Sequence, residues 1–179
     1  EAHRVARIIR DVDPNLHTVL DVACGTGQHD GTLSQMFAVD GLDLSPEFIE
    51  FARQRNPSGR YVRGDMRDFR LDRLYDVVIC LLSSIAYARG YDELHQSLTC
   101  FREHLTPTGI AVVEPFFTPC SWQAGCLTHH INVRDGQTLV RMGCSAVRGS
   151  RALLHFHYLI GTAEGIEHVE ESHEISLFT

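Results

Sequence analysis

The chain has 179 residues, with 16 Lys and Arg against 23 Asp and Glu, for a net charge of -7 at neutral pH. That length suits a sizeable core, and that acidity excludes a large nucleic-acid footprint, which needs clustered Lys and Arg to replace condensed counterions. No apolar run approaches a membrane span of about 18 residues, so no membrane partner is expected.

In chain order, Ala2 to Arg10 has apolar Val5, Ala6, Ile8 and Ile9, which suits an entering helix. Val19 to Ala23 is a short apolar strand. The glycine turn Cys24-Gly25-Thr26-Gly27 follows, then a helix near Gln28 to Met36. Ala38 to Leu44 is a second strand ending in "GLDLS". Ser45-Pro46-Glu47 supplies an N-cap, a proline in the first turn and a first-turn acid, so a helix runs from there to about Arg55. Arg60 to Arg63 is a short strand leading into "GDMRDF", and Tyr75 to Leu82 is a strand buried on both faces. A helix over Asp92 to Leu105 is ended by Thr106-Pro107-Thr108-Gly109. A strand over Ile110 to Glu114 closes at Pro115. Strands alternating with helices predict an α/β fold with a parallel sheet. After about Cys120 the pattern changes. His129 to Thr179 holds four alternating segments separated by "RDGQ", "RGS" and "GTAEG", which predicts an auxiliary antiparallel sheet with a hairpin at Asp135-Gly136. The expected division is 1–120 and 121–179.

Glycines two apart after a strand let the backbone approach a ligand closely. The dinucleotide fingerprint fails, because Asp30 takes its third small position. No Lys-Ser/Thr follows, which excludes the P-loop. With Asp21 beside it and no cation in it, the turn suits a ligand bearing positive charge and hydroxyls rather than phosphates. In open α/β sheets, ligands bind beyond the carboxyl ends of the strands. There the second strand places Asp43, close to the spacing at which a carboxylate takes ribose hydroxyls, and the third places Asp65 and Met66, an acceptor and an apolar plate for a purine. The fourth runs into Ser83-Ser84-Ile85-Ala86-Tyr87, and the fifth into Glu114-Pro115-Phe116-Phe117.

"LDVACGTG", "GLDLSP", "GDMRDF" and "HLTPTGIAVVEPFF" resemble the motif series of class I S-adenosylmethionine-dependent methyltransferases. More narrowly, "GDMRDFRL", "SSIAY", "VVEPFF" and "EESHEISLFT" resemble the dTDP-amino-sugar N,N-dimethyltransferases of macrolide and related antibiotic biosynthesis. The resemblance implies a Rossmann-like parallel sheet with helices on both faces. It also implies S-adenosyl-L-methionine as cofactor, S-adenosyl-L-homocysteine as product, and a nucleotide-linked amino sugar as small-molecule substrate. Asp21, Ala23, Cys24, Gly25, Thr26 and Gly27 then match the loop under the methionine part of the cofactor, with Leu81 and Ser83 beneath it. Asp43 matches the acid on the ribose, Leu44 lies beside the adenine, and Asp65 and Met66 match its edge. Tyr87 falls where relatives carry a His or Tyr beside the accepting amine, and Glu114 could face the same spot or be satisfied by backbone N–H groups. The segment from Gln28 to Val39 is about one residue shorter than usual, and an N-terminal lid and a final helix and hairpin are expected to be missing.

Tyr87 is expected to place the amine rather than to act as an essential base. Phe116, Phe117 and Trp122 are expected against sugar or nucleobase, and His157 and His173 as polar substrate contacts from the antiparallel sheet. His155 and His157 lie two apart, near His129, His130 and His173, but no further ligand stands at a recognisable spacing, so no metal is expected. The alternatives are a methyltransferase acting on a natural-product hydroxyl or a glycine-type amine, and a non-catalytic cofactor-binding protein. Cys24, Cys80, Cys100, Cys120, Cys126 and Cys144 show no C-x-x-C spacing and read as reduced thiols of a cytoplasmic protein. No signal peptide is visible, although the sequence begins at Glu1. A homodimer is allowed for.

Overall fold

Val19, Leu20 and Val22 of the first strand are fully buried, which requires cover on both faces of the sheet they enter. The computed structural model describes residues 1–179. It divides the chain into two units, Glu1–Phe116 and Phe117–Thr179. The first unit holds a five-stranded parallel sheet in the order β3-β2-β1-β4-β5, where β1 is Thr18–Val22, β2 Ala38–Asp43, β3 Tyr61–Arg63, β4 Tyr75–Cys80 and β5 Leu105–Val113. Helices α1 (Ala2–Val12), α2 (Asp30–Leu33), α3 (Pro46–Arg55) and α4 (Tyr91–Glu103) connect or precede them.

The twofold alternation of strand side chains sorts the core into two layers. Val19, Val39, Val77 and Ile79 pack with Val5, Ile9 and Leu33 on one face, while Leu20, Val22, Leu42 and Val78 pack with Cys100 and Phe101 on the other. Ser45 caps α3 as its sequence predicts, its Oγ accepting the Phe48 N–H at 3.1 Å. The chain extends outward from β1 to β3, then returns for β4 on the other side of β1. That reversal opens a crevice beyond the carboxyl ends of β1 and β4.

Two elements differ from expectation. The helix predicted near Gln28 to Met36 shrinks to α2, Asp30–Leu33. Gly31 weakens helix propagation there, and successive turn bonds from Gln35 to Thr32 and Met36 to Leu33 bring the chain quickly to β2. The Thr106–Gly109 terminator lies inside β5 instead of before it. Tyr75 pairs with Leu105 and Val77 with Ile110, so a bulge containing Pro107 absorbs the extra residues.

The second unit is a meander of β6 (Thr128–Arg134), β7 (Gln137–Arg148), β8 (Arg151–Thr162) and β9 (Gly165–Ser176), all antiparallel. Asp135 and Gly136 take φ of 51° and 78°, the two left-handed residues of the expected tight hairpin.

Gly41 of β2 lies beside Asp21 in register. A Cβ there would stand 2.5 Å from the Tyr61 ring and 2.9 Å from Cys24 Sγ. Its bareness lets Tyr61 cross the sheet face to reach Asp30, to which its hydroxyl donates at 2.9 Å. Gly41→Ala is therefore expected to lower stability by about 1–3 kcal/mol, as overpacking does. Urea unfolding of the two proteins checks this, and an unchanged midpoint would contradict it.

Candidate active site

The turn after β1 is built from left-handed backbone. Ala23, Gly25 and Gly27 have φ of 62°, 55° and 67°, and Ala23 accepts this conformation at a cost of about 1 kcal/mol or more. Cys24 N–H donates to Leu42 O at 3.1 Å, continuing the pairing of β1 with β2 past the strand end. Gly25 N–H then donates to Asp43 Oδ2 at 2.8 Å, while Ser45 N–H donates to Oδ1 at 2.9 Å. The Asp43 carbonyl accepts the Gly64 N–H at 2.9 Å. One residue thus joins the ends of β1, β2 and β3. Thr26 is held from α3, with Arg55 donating to its carbonyl and hydroxyl oxygens at 2.8 and 2.9 Å. A Cβ on Gly27 would press on Ala52 Cβ at 3.0 Å, whereas one on Gly25 would meet nothing within 4 Å. Gly27 serves packing; Gly25 faces open space.

Below the turn sits a buried acid pair. Asp21 alternates onto the face covered by α2, where Asp30 lies beside it; both are essentially inaccessible to solvent. Burial pushes the Asp21 carboxyl well above the usual carboxylate range, and the neighbouring Asp30 and Asp43 push it the same way. Burial raises Asp30 too, against hydrogen bonds from Asp21 and Tyr61. Burial and mutual repulsion thus favour the protonated form of the pair. Cys24 Sγ is held as a thiol by burial and by Asp21. The Oδ1 atoms of Asp21 and Asp30 have no hydrogen-bond partner.

At the neighbouring strand ends, Leu44 is exposed beside Asp43 and its carbonyl accepts from Arg63 Nε at 3.2 Å. Asp65 is engaged by Arg67, whose N–H and Nε reach Oδ1 at 3.0 and 2.8 Å and which holds its carboxyl below the usual range. Arg67 also pairs with Glu93 at 2.7 Å. Met66 is half-buried against the core layer of Leu20 and Phe69. Beyond β4, Leu81 is buried and Leu82 and Ser83 are consecutively left-handed, with φ of 50° and 60°. Glu114 Oε2 accepts the Leu82 N–H at 2.7 Å, and the Ser83 hydroxyl donates to Pro115 O at 3.1 Å. Glu114 thus supports this strained turn, the backbone-satisfied alternative of the sequence reading. A 3₁₀ turn over Ser84–Tyr87 follows and leaves Tyr87 46% exposed.

In the second unit, Phe117 and Trp122 lie ring to ring, with centroids 5.4 Å apart. His157 stands opposite Glu170, and His173 opposite Leu154. Strand alternation therefore puts the two histidines on opposite faces of the sheet, so they cannot serve one substrate from one face. His173 shares its face with Phe156, edge to ring at 5.7 Å. Phe116 is half-buried at the end of the first unit.

The sequence reading used Asp30 only as the residue that breaks the glycine fingerprint. It missed the buried network of Asp30, Tyr61 and Asn56, in which Asn56 Nδ2 donates to the Tyr61 hydroxyl at 3.1 Å. An acid falling on the inward side of an amphipathic turn was the available signal.

S-adenosylmethionine fits this residue set. An open Gly25 backbone, an unpartnered Asp21 oxygen and the Asp43 carboxylate suit a ligand with an ammonium group, a cationic sulfur and ribose hydroxyls. Residues 19–109 match the family model of a methyltransferase domain. Over its whole length the chain is 40% identical to a dTDP-3-amino-3,6-dideoxy-alpha-D-glucopyranose N,N-dimethyltransferase from Streptomyces fradiae, spanning 71% of that protein. The crystal structure of DesVI from Streptomyces venezuelae superposes with a TM-score of 0.96 at 36% identity, covering 99% of this chain and 76% of that one. CalS10 from Micromonospora echinaspora, an amino pentose methyltransferase solved with S-adenosylmethionine bound, gives 0.92 at 32% identity over 99% and 76%.

The acid pair sets a pH dependence. Its folded pKa values lie above the unfolded value of about 4. Its favourable contribution is complete below that pH and is lost as pH rises through the folded values. Asp30→Asn removes one ionisable member, so its stability advantage over the parent is expected to grow from pH 4 to pH 8, reaching about 1 kcal/mol or more. Unfolding curves across that range check this; a constant difference would contradict it.

Proposed function

Since the chain belongs to the class I S-adenosylmethionine-dependent methyltransferases, we propose that it transfers two methyl groups in turn to the amine of a nucleotide-linked deoxyamino sugar, a step of antibiotic biosynthesis. The observation that carries this reading is the extent of the likeness. A general methyltransferase domain accounts for residues 19–109, whereas the sugar N,N-dimethyltransferase likeness runs on through the antiparallel sheet to the end of the chain.

When bound, S-adenosylmethionine supplies a methyl group on a positively charged sulfur that departs as a neutral thioether. The protein's task is then placement of a neutral amine in line with that methyl, worth more than any added base strength. In this reading Asp43 holds the ribose hydroxyls, Asp21 faces the ammonium end, and the Ala23–Gly27 backbone lies against the methionine chain. Leu44 and Met66 flank the adenine with Asp65 at its edge, and Leu81 and Ser83 underlie the methionine. Tyr87 holds the acceptor nitrogen through its hydroxyl, on a turn that Glu114 and Ser83 keep rigid. Phe116, Phe117, Trp122 and His173 are the candidates for sugar and nucleobase. The same reading covers residues 1–120 as the cofactor part and 121–179 as the substrate side. It includes a homodimer, no nucleic-acid partner and a cytoplasmic setting. Exposed apolar Ile131, Val133 and Ile166 support the first, the charge of -7 the second, and six thiols the third. No helix is long and apolar enough to cross a membrane.

The test is mass spectrometry of 3-amino- and 4-amino-deoxysugar nucleotides incubated with S-adenosylmethionine, where one and then two methyl additions are expected. Tyr87→Phe removes one hydrogen bond worth about 0.5–1.5 kcal/mol, so the rate should fall by about tenfold or less. A loss of about a hundredfold or more would mark Tyr87 as an obligatory base. Turnover confined to hydroxyl acceptors would overturn the amino-sugar reading.

A further inference from the structure

The strands β8 and β9 bring together three ligand-bearing side chains that the transfer reaction leaves unused. In the β8–β9 register His157 faces Glu170 and Leu159 faces His168. Residues two apart on a strand share a face, so His157, His168 and Glu170 converge on one side of the sheet, each exposed. His157 Nδ1 lies 3.1 Å from His168 Nε2. Glu170 Oε1 is 3.5 Å from the first nitrogen and 3.8 Å from the second.

Those separations match a particular ion. Zinc holds its nitrogen and oxygen ligands at about 2.0–2.1 Å in a tetrahedron, which sets neighbouring donors roughly 3.3 Å apart. The three observed distances straddle that value. We propose that His157, His168 and Glu170 form a surface site for one zinc ion per chain, with solvent completing the tetrahedron. Without a cation, the nitrogen–nitrogen contact works only if one ring donates a proton to the other. With a cation, both rings turn their lone pairs to a common point. The rings are stacked now, their planes within 8° of parallel and centroids 5.3 Å apart, so binding requires the exposed rings to turn out of the stack until both planes contain the ion. Two imidazoles and one carboxylate suit zinc and its transition-metal neighbours, while calcium and magnesium want more oxygen donors.

Sequence spacing hid this site, because its ligands lie eleven and thirteen residues from His157 and meet only through the hairpin register. The site is no cofactor centre for methyl transfer, in which the cationic sulfur already activates the methyl. It fastens β8 to β9 midway along the hairpin and takes His157 away from substrate binding.

The experiment is titration of the metal-stripped full chain with zinc by calorimetry and with cobalt by absorption, with light scattering run alongside. One ion per chain is expected, with a cobalt spectrum free of thiolate charge-transfer bands. His157→Ala and His168→Ala should each weaken binding at least tenfold. Cys144→Ser, on the same face of β7 opposite His155, should leave it unchanged. The unsubstituted chain provides a second readout: zinc should shift the imidazole resonances of two of the eleven histidines. No binding, one ion per two chains, resonance shifts spread over other histidines, or full affinity in the double histidine variant would each overturn the proposal.

Discussion

The carboxylate of Asp43 holds the candidate site together. One oxygen accepts the Gly25 N–H and the other the Ser45 N–H, while its carbonyl takes the Gly64 N–H. Beyond the Cys24 N–H bond to Leu42 O, the turn with its left-handed Ala23, Gly25 and Gly27 has no strand ladder to hold its shape. A charge-assisted bond from the next strand end supplies that restraint at the cost of one side chain. Each Asp43 oxygen retains acceptor capacity after its backbone bond. The geometry that shapes the turn therefore leaves the acid able to meet a ribose.

The pair beneath the turn adds charge of the same sign. Asp21, Asp30 and Asp43 stand close enough to raise the Asp21 pKa, and burial raises it further. Such an arrangement costs stability at neutral pH and is relieved by a proton. It also provides a negative field under the turn, which favours a ligand carrying positive charge. Tyr61, Asn56 and the bare Gly41 exist in this setting to satisfy Asp30 from the sheet side. A strained or costly arrangement concentrated at a strand end is where function is expected.

Much of this was legible in residue order. The cap at Ser45, the alternation of the four antiparallel strands and the Asp135-Gly136 hairpin all follow from local chemistry, and the structure shows each. The glycine turn and the acids at Asp21 and Asp43 were visible because their spacing from strand ends is short. What escaped depends on tertiary placement. The inward turn of Asp30 toward Tyr61 joins residues that spacing rules do not relate, whereas Asp65 takes the Arg67 N–H two residues on, a local turn, and the support of Leu82 by Glu114 is the backbone-satisfied alternative that the sequence left open. His157 and His173 were grouped by residue type, yet strand parity separates them. His168 and Glu170 drew no attention because their neighbour lies across a hairpin.

The central claim is that Asp43 both shapes the glycine turn and binds ribose, and its most direct test uses ligands that differ by one hydroxyl. Calorimetry of S-adenosylhomocysteine and its 2′-deoxy analogue against the parent and Asp43→Asn gives a double cycle. Asn loses the charge and keeps one of the two acceptor oxygens, so one of the bonds from Gly25 and Ser45 N–H is given up with it. The account predicts that deleting the hydroxyl weakens binding about tenfold or more in the parent, and by less than about threefold in Asp43→Asn. Equal loss in both proteins would contradict it and leave Asp43 a purely structural acid.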